Sequence, residues 1–478
     1  MNASPLTRAT LVLTTSVMAV LAACAQLPAR DDGPSIKPAA HYATERSLSA
    51  PAAAWPSDAW WKAYGDDQLD ALIAEALVGS PSIATADARM RRAQASVQSA
   101  DAARKPQLGL NTSITEQKQS YHYLSPESAT PQGWNDYGRA TLDFSWEIDF
   151  WGKNRAAFAA ATSDAEAARA DAAQARLMLA SAIATAYAEL AREHAALDTA
   201  QAALDVRTKT ADLFGRRFGN GLETMASVKQ VQARRASAQA DVLALEEQIA
   251  LQRHCIAALL GAGPDRALTI ARPTIRLDRP FGLPPELSVE LIGRRPDIVA
   301  ARLRAEAAAR RIDQARAAFY PNVNLVAFVG VQSLGLDALT KSGSSIGSVG
   351  PALSLPIFDG GRLRAQLRGI NADYAQAVAT YDGTLVQALQ DVADAATSQQ
   401  ALGAQLARTD EAVDASRDAW RSQNNRYAGG LATYLDVLSA EDTLLSNLRT
   451  QSDMQSRAFS LDVALVRALG GGYTATAH

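Results

Sequence analysis

The sequence predicts a mostly helical chain made of two similar halves, each with a strand pair and very long helices. Three observations lead to this prediction: a long internal repeat, extended stretches without Gly or Pro, and segments in which apolar and polar residues alternate. Alanine is abundant, which favours helix. The 478 residues carry a formal net charge of −3, with Lys and Arg scattered, so the composition gives no support to nucleic-acid binding.

The internal repeat is clearest at pairs of prolines and at pairs of glycine-containing turns. The matched positions, with their offsets, are Pro81 and Pro296 (215), Pro106 and Pro321 (215), 150–152 and 358–360 (208), and 217–224 and 426–433 (209). The offset decreases from 215 at the prolines to 208 at the next matched segment, so the first half should have the longer loop between these positions. The segment 121–137, rich in Ser, Pro, Gly and aromatic residues, is the candidate.

Each half is predicted to contain a helix, a strand pair and two further long helices, in that order. The stretch 153–214 contains neither Gly nor Pro, so it should form helix over about 90 Å, as one helix or as two stacked helices. The segment 222–260 has largely apolar residues at spacings of three and four, which is typical of coiled-coil packing. Other predicted elements are helices at 68–104, 289–319 and 431–469, and strands at 108–114, 141–150, 323–331 and 349–357. The coiled-coil positions are Val228, Val231, Arg235, Ala238, Val242, Leu245, Ile249, Gln252, Ile256 and Leu259.

The first residues read as an export signal that ends at a lipidation site. An apolar stretch begins shortly after Arg8 and ends in Leu-Ala-Ala-Cys, which resembles the bacterial lipobox with Cys24 as the lipidated residue. An ordinary signal peptide with a chance cysteine is the alternative. The predicted division is a signal peptide (1–23), a lipidated tether (24–60), the first repeat (61–260), a connector (261–287), the second repeat (288–470) and a C-terminal tail (471–478).

Any membrane-spanning part is predicted to consist of strands. No segment after the export signal reaches the roughly 18 consecutive apolar residues of a membrane helix. The segment 141–150 alternates apolar with polar residues, which suits a strand with one face in lipid and one in water, or a half-buried sheet of a soluble domain. Because the smallest membrane barrels have about eight strands, four strands would have to share a barrel with other chains.

Three motifs resemble one family. The run Gly-Arg-Arg-Pro-Asp-Ile at 293–298 is similar to the signature of TolC-type outer-membrane efflux channels, specifically their lipoprotein branch, the NodT type. The segment 60–72 resembles the start of that branch, and 355–361 resembles its second strand-to-helix junction. The resemblance covers nearly all of the mature chain. It implies a homotrimer with a shared 12-stranded β-barrel in the outer membrane, an α-barrel crossing the periplasm, and docking on a periplasmic adaptor bound to an inner-membrane pump.

The resemblance also implies functional roles for the two turns between the long helices. Gly221 and Leu222 in the first half, and Gly430 and Leu431 in the second, correspond to the tips that contact the adaptor. The glycines can adopt positive φ, which permits a tight reversal. The alternative is that these residues form turns and nothing more.

The periplasmic gate is predicted just beyond the second turn. Asp436 occupies the position of the family's acidic constriction, and Tyr427 matches a tyrosine that holds the closed channel through hydrogen bonds between helices. A solvated aspartate on a helix face is the alternative for Asp436. Ala432 and Ser227 depart from the best-studied gate, which has Arg and Asp there, so the closed state should be held by other pairs or by fewer.

The predicted function is the outer-membrane channel of a tripartite pump that exports small toxic molecules or drugs. A TolC-like outlet for protein secretion and a lipid-anchored periplasmic coiled-coil scaffold without a pore are the alternatives. The sequence shows no nucleophile motif or phosphate loop, and its five histidines have no partners at metal-ligand spacing. We therefore predict no enzymatic activity, no metal and no cofactor apart from the covalent lipid on Cys24.

Overall fold

The computed structural model describes residues 33–38, 41–44, 46–48, 50–122, 126–275, 282–284 and 287–475. The predicted signal peptide and Cys24 lie outside the described residues. The chain divides into two compact units. We call them the sheet unit, whose described parts lie within 33–36, 91–167 and 302–380, and the helical unit, which contains the rest.

The helices and strands follow the same order twice along the chain. They are α1 (Asp67–Gly79), α2 (Pro81–Ala102), β1 (Gln107–Gln117), β2 (Asn135–Glu147), α3 (Lys153–Gly219), α4 (Met225–Leu260), α5 (Leu287–Arg294), α6 (Pro296–Ala317), β3 (Asn322–Leu334), β4 (Ser345–Ser354), α7 (Arg362–Ala428) and α8 (Tyr434–Ala468). Short 3₁₀ helices include Trp60–Tyr64 and Pro264–Thr269. The predicted class, mostly helical with four strands, is confirmed.

The four strands form one antiparallel sheet in the order β1-β2-β3-β4. The two predicted strand pairs are therefore joined by a third pairing, between β2 and β3. The loop between β1 and β2 is the longer one, as predicted from the repeat. The predicted bounds were wrong for two strands: β2 spans Asn135–Glu147 rather than 141–150, and β4 spans Ser345–Ser354 rather than 349–357.

The first helix of each half was predicted as continuous, and this was wrong. α1 ends at Gly79 and α2 begins at Pro81, while α5 ends at Arg294 and α6 begins at Pro296. Proline cannot donate the backbone hydrogen bond of a helix interior, and it forces the residue before it out of helical geometry. Ser80 accordingly has an extended ψ of 132°.

The long helices are uninterrupted and have equal lengths. α3 and α7 contain 67 residues each. Gly152 (φ 77°) and Gly361 (φ 89°) directly precede them, so the repeat offset here is 209. This corrects the alignment of 150–152 with 358–360, which is shifted by one residue. The structure also decides in favour of one helix rather than two stacked helices after residue 153.

The helical unit has a hydrophobic core around its N-terminal aromatic residues. Trp60 and Tyr64 are buried there, and the Tyr64 hydroxyl donates to Asp462 Oδ2 at 2.7 Å. Asp66 caps α1 by accepting from two backbone N–H groups, and its carboxylate also accepts from the Tyr187 hydroxyl at 3.0 Å. Six of the predicted coiled-coil positions are buried: Val228, Val231, Ala238, Val242, Ile249 and Ile256.

Within the described residues, no single helix has both the length and the apolar composition of a membrane span, although α1 and α2, bent by 44°, meet those criteria as a pair.

Candidate functional site

One face of the sheet is apolar across all four strands. Residues paired across neighbouring strands point to the same face, and two such rows show the pattern. The rows are Leu108, Phe144, Ala327 and Val349, and Leu110, Leu142, Val329 and Gly347. Leu110 is 72% exposed and Val349 is 77% exposed in this chain. An exposed apolar surface that extends across a whole sheet marks a contact with lipid or with another protein.

The opposite face of the same sheet is largely polar. Asp143 accepts hydrogen bonds from Asn111 Nδ2 at 2.7 Å and from Thr141 Oγ1 at 2.9 Å. The Arg139 guanidinium lies 5.4 Å from the centre of the Phe328 ring. The two faces thus differ in the way that a membrane strand with a wet lumen requires, as the pattern at 141–150 predicted.

Aromatic side chains with hydrogen-bonding groups lie where the strands meet the helices. The ring of Trp151 stacks on Tyr320 at 4.6 Å, and its Nε1 donates to the carbonyl of Pro321 at 2.9 Å. Trp146 Nε1 donates to the carbonyl of Arg104 at 3.1 Å. Amphipathic rings of this kind are enriched at membrane–water interfaces. The junction has the composition of an interfacial girdle.

Both turns predicted as adaptor contacts have the same geometry. The N–H of Leu222 donates to the carbonyl of Arg217, and the N–H of Leu431 donates to that of Arg426, each at 2.8 Å. Gly221 (φ 70°) and Gly430 (φ 73°) provide the left-handed residue that ends each helix. Leu222 and Leu431 are 66% and 74% exposed, so each turn presents an apolar side chain at its surface.

A small aromatic cluster lies just behind these turns. It joins the hairpin formed by α3 and α4 to the hairpin formed by α7 and α8. The Tyr434 ring lies 4.6 Å from Phe214 and 5.6 Å from Tyr427. Val228 and Val231 of α4 are buried in the same cluster. Burial raises the pKa of Tyr427, and its hydroxyl has no hydrogen-bond partner among the described residues. The hydrogen bond predicted for Tyr427 in the closed gate is thus not formed among the described residues of one chain, and the gate role of Tyr427 stays a prediction.

Asp436 is exposed and belongs to the N-terminal cap of α8. Its Oδ2 accepts from the Thr433 N–H at 2.8 Å and from the Thr433 hydroxyl at 2.7 Å, while Thr433 Oγ1 accepts in return from the Asp436 N–H. The two hydrogen bonds that this carboxylate accepts lower the pKa of Asp436, and the bond from the Thr433 hydroxyl has the larger effect. The carboxylate is therefore ionised at neutral pH. In the first half, Thr224 and Ser227 form the matching cap without a charge. This capping role was missed, although Thr-x-x-Asp is a recognisable variant of the capping box.

A charged cluster that the sequence did not predict connects α3 and α4 with α8. Arg207 contacts Glu441 at 3.3 Å and Asp442 at 3.0 Å, and Arg234 contacts the other oxygen of Asp442 at 3.0 Å. Glu441 is buried, which raises its pKa although Arg207 opposes the change. No local sequence signal joins residues so far apart along the chain. Within one chain, these pairs hold the two hairpins together near the turns.

Among the described residues, no group of three or more His, Cys, Asp or Glu side chains could hold a metal ion.

The family model described as "Outer membrane efflux protein" matches residues 72–262 and 287–471. The chain is 38% identical over 380 residues to the fusaric acid resistance protein FusA of Burkholderia cepacia, covering 77% of this chain and 71% of FusA. It is 32% identical over 428 residues to the multidrug resistance outer membrane protein MdtP of Escherichia coli K12, covering 88% of each chain.

Solved structures agree with these sequence relatives. The outer membrane protein VceC of Vibrio cholerae superimposes with a TM-score of 0.82 at 52% identity, covering 87% of this chain and all of VceC. The Campylobacter jejuni outer membrane channel CmeC has a TM-score of 0.84 at 20% identity, which supports the fold alone. The chain therefore belongs to the outer membrane efflux protein family.

Proposed function

We propose that this protein is the outer-membrane channel of a tripartite pump that exports small toxic molecules. The observation that carries the proposal is the sheet with one exposed apolar face and one polar face, attached to two pairs of long helices. FusA and MdtP, named for resistance to fusaric acid and to multiple drugs, support small molecules rather than secreted proteins as cargo. A scaffold without a pore would leave the apolar sheet face unexplained.

The edge strands support a homotrimer with a shared 12-stranded barrel. Within the described sheet, β1 and β4 each have a strand neighbour on one side only. Unpaired backbone groups in lipid cost several kcal/mol each, so both edges need partners. Pairing of β1 in one copy with β4 in the next satisfies them, places the apolar face in lipid and encloses the polar face. We propose no catalytic activity and no cofactor for such a channel.

The exposed leucines at the two turns are the proposed contacts with a periplasmic adaptor, itself bound to an inner-membrane pump. Deleting the gene should sensitise cells to a panel of dyes and antibiotics, and a plasmid with the wild-type gene should restore resistance. The double variant L222D/L431D should fail to restore it, because it places charges on the apolar docking surface. L268D changes another exposed leucine, 78% exposed, and should restore resistance.

Unchanged susceptibility after deletion, across the whole panel, would contradict the proposed function. Full restoration by L222D/L431D would contradict the adaptor contact alone, since the channel would then work without those leucines.

The proposed lipid anchor is Cys24. A lipid attached covalently to Cys24 would hold the tether at the membrane, and Ala25 after the cysteine supports sorting to the outer membrane. The Cys24→Ser variant should incorporate no labelled palmitate, whereas the wild-type chain should be labelled. Labelling that persists in the serine variant would show that the lipid is attached to another residue and would refute the Cys24 anchor.

For the gate, the cap geometry suggests a variant that removes the charge of Asp436 and keeps its structural role. Asp436→Ser reproduces the Thr224/Ser227 cap of the first half. If the three carboxylates of a trimer obstruct a narrow pore with the water and cations that they hold, this variant should raise single-channel conductance in planar bilayers. Asp436→Ala, which loses both the charge and the cap, should raise it as well.

The comparison of these two variants separates charge from folding. Equal conductance changes in both variants would assign the effect to the charge. Wild-type conductance in Asp436→Ser, with a change only in Asp436→Ala, would mean that Asp436 acts as a helix cap and is not the gate.

A further inference from the structure

A cavity of about 950 Å³ lies in the sheet unit between α3, α6 and α7. Its lining combines charged and polar groups, and its charged residues are Glu306, Arg310, Asp313, Arg316 and Arg368. Asn371 and Tyr374 of α7 also line it. Nothing in the proposed transport function uses this cavity.

The cavity contains an excess of positive charge that the described residues do not neutralise. Both of its carboxylates are already paired, Glu306 with Arg302 at 3.0 Å and Asp313 with Arg310 at 3.8 Å. Arg316 and Arg368 make no ion pair and no hydrogen bond within the described part of the chain. Two guanidinium groups therefore line one cavity without an anionic partner among the described residues.

These two arginines lie close to the junction between strands and helices. Arg316 is the last residue but one of α6, four residues before Tyr320 of the aromatic girdle, which lies in the turn that follows this helix. Arg368 lies in the second turn of α7, which follows β4. The headgroup layer of a bilayer extends for roughly 5–7 Å beyond the hydrocarbon core on each side. With the aromatic girdle at the edge of the hydrocarbon core, Arg316 would lie at the depth of the lipid phosphates.

We propose that this cavity binds the phosphate of an anionic phospholipid from the periplasmic leaflet of the outer membrane. Guanidinium groups bind phosphate through paired, charge-assisted hydrogen bonds. Basic pockets between helices at a membrane surface are suited to anionic headgroups. The Tyr374 hydroxyl and the Asn371 amide provide neutral donors for the remaining headgroup oxygens. The inference rests on the outer-membrane location and not on transport.

The test measures lipid binding to the full-length protein, purified in detergent, by native mass spectrometry. Wild-type protein should bind phosphatidylglycerol more tightly than phosphatidylcholine. Each arginine near a membrane contributes about 1 kcal/mol, a factor of roughly five, so R316Q/R368Q should weaken phosphatidylglycerol binding about 25-fold. R364Q removes an exposed arginine of the same helix that does not line the cavity, and it should bind like wild type. R316K/R368K should recover much of the affinity.

Three results would overturn the proposal. Equal losses in R364Q and R316Q/R368Q would mean non-specific attraction to a basic surface. Displacement of the lipid by millimolar inorganic phosphate would assign the cavity to a free anion. A preference for phosphatidylglycerol that emerges only in D31N/D32N would mean that the two aspartates preceding Gly33 in the sequence are the native partners. Because binding is measured on purified protein, a failure to export drugs would not affect the result.

Discussion

Replacing Arg295 with alanine is expected to lower the free energy of unfolding by about 3 to 5 kcal/mol, the cost of removing one member of a buried ion pair. Its side chain is 9% exposed. Two of its nitrogens donate to both oxygens of Asp297, at 3.0 and 2.6 Å, and a third reaches Asp391 at 3.0 Å. Burial acts to lower the pKa of Arg295, but these two carboxylates outweigh it and raise that pKa. The charge is therefore retained in the folded state.

The position of Arg295 explains why its removal should lower the free energy of unfolding so strongly. It fills the break between α5 and α6, and it joins the start of α6 to Asp391 of α7 and to the carbonyl of Ala468 at the end of α8. The midpoint of urea unfolding in detergent, followed by circular dichroism, should fall sharply in Arg295→Ala. Arg294→Ala, which removes the neighbouring, more exposed arginine, should shift it little. Equal midpoints for the two variants would show that the Arg295 pairs do not stabilise the fold.

The second large effect is expected on the apolar face of the sheet. Leu110→Arg should destabilise the inserted protein by about 2 to 4 kcal/mol, which is the cost of a cationic side chain on the lipid face near the middle of the bilayer. Leu110 lies near the centre of β1 and its side chain is 72% exposed in this chain. The expected readout is a loss of heat-resistant oligomer from outer-membrane fractions.

Ser113→Arg is the matched control for this experiment. Ser113 lies on the same strand three residues later, so it points to the polar face, where water can solvate the new charge. The level of the Ser113→Arg protein in the outer membrane should be close to that of the wild-type protein. If Ser113→Arg were lost as completely as Leu110→Arg, the assignment of the two faces to lipid and lumen would be wrong.

The repeat predicted most of the fold because its signals are local and occur twice. The prolines at 81 and 296 mark equivalent positions, and the coiled-coil spacing at 228–259 identifies the buried face of α4. The same two prolines interrupt helices that were predicted to be continuous. β4 was misplaced because its glycines at 347 and 350 weaken the alternation on which a strand prediction depends.

The site was less predictable, since its contacts join residues far apart in sequence. The turns at Gly221 and Gly430 follow from glycine spacing, and both were found in advance. The salt bridges of Arg207 with Glu441 and Asp442 join α3 to α8, and no periodicity within either helix encodes them. The family resemblance pointed to Asp436 as a gate, but its bonds to Thr433 became visible only in the structure.

The equal lengths of α3 and α7 restrict how the gene can change. Both helices have 67 residues, and their return partners α4 and α8 have 36 and 35. The cluster of Phe214, Tyr427 and Tyr434 forms only if the two hairpins end at the same level. A seven-residue deletion in one hairpin would move its aromatic residues about 10 Å out of register. We therefore expect insertions and deletions in this part of the gene to be tolerated only when both halves change together.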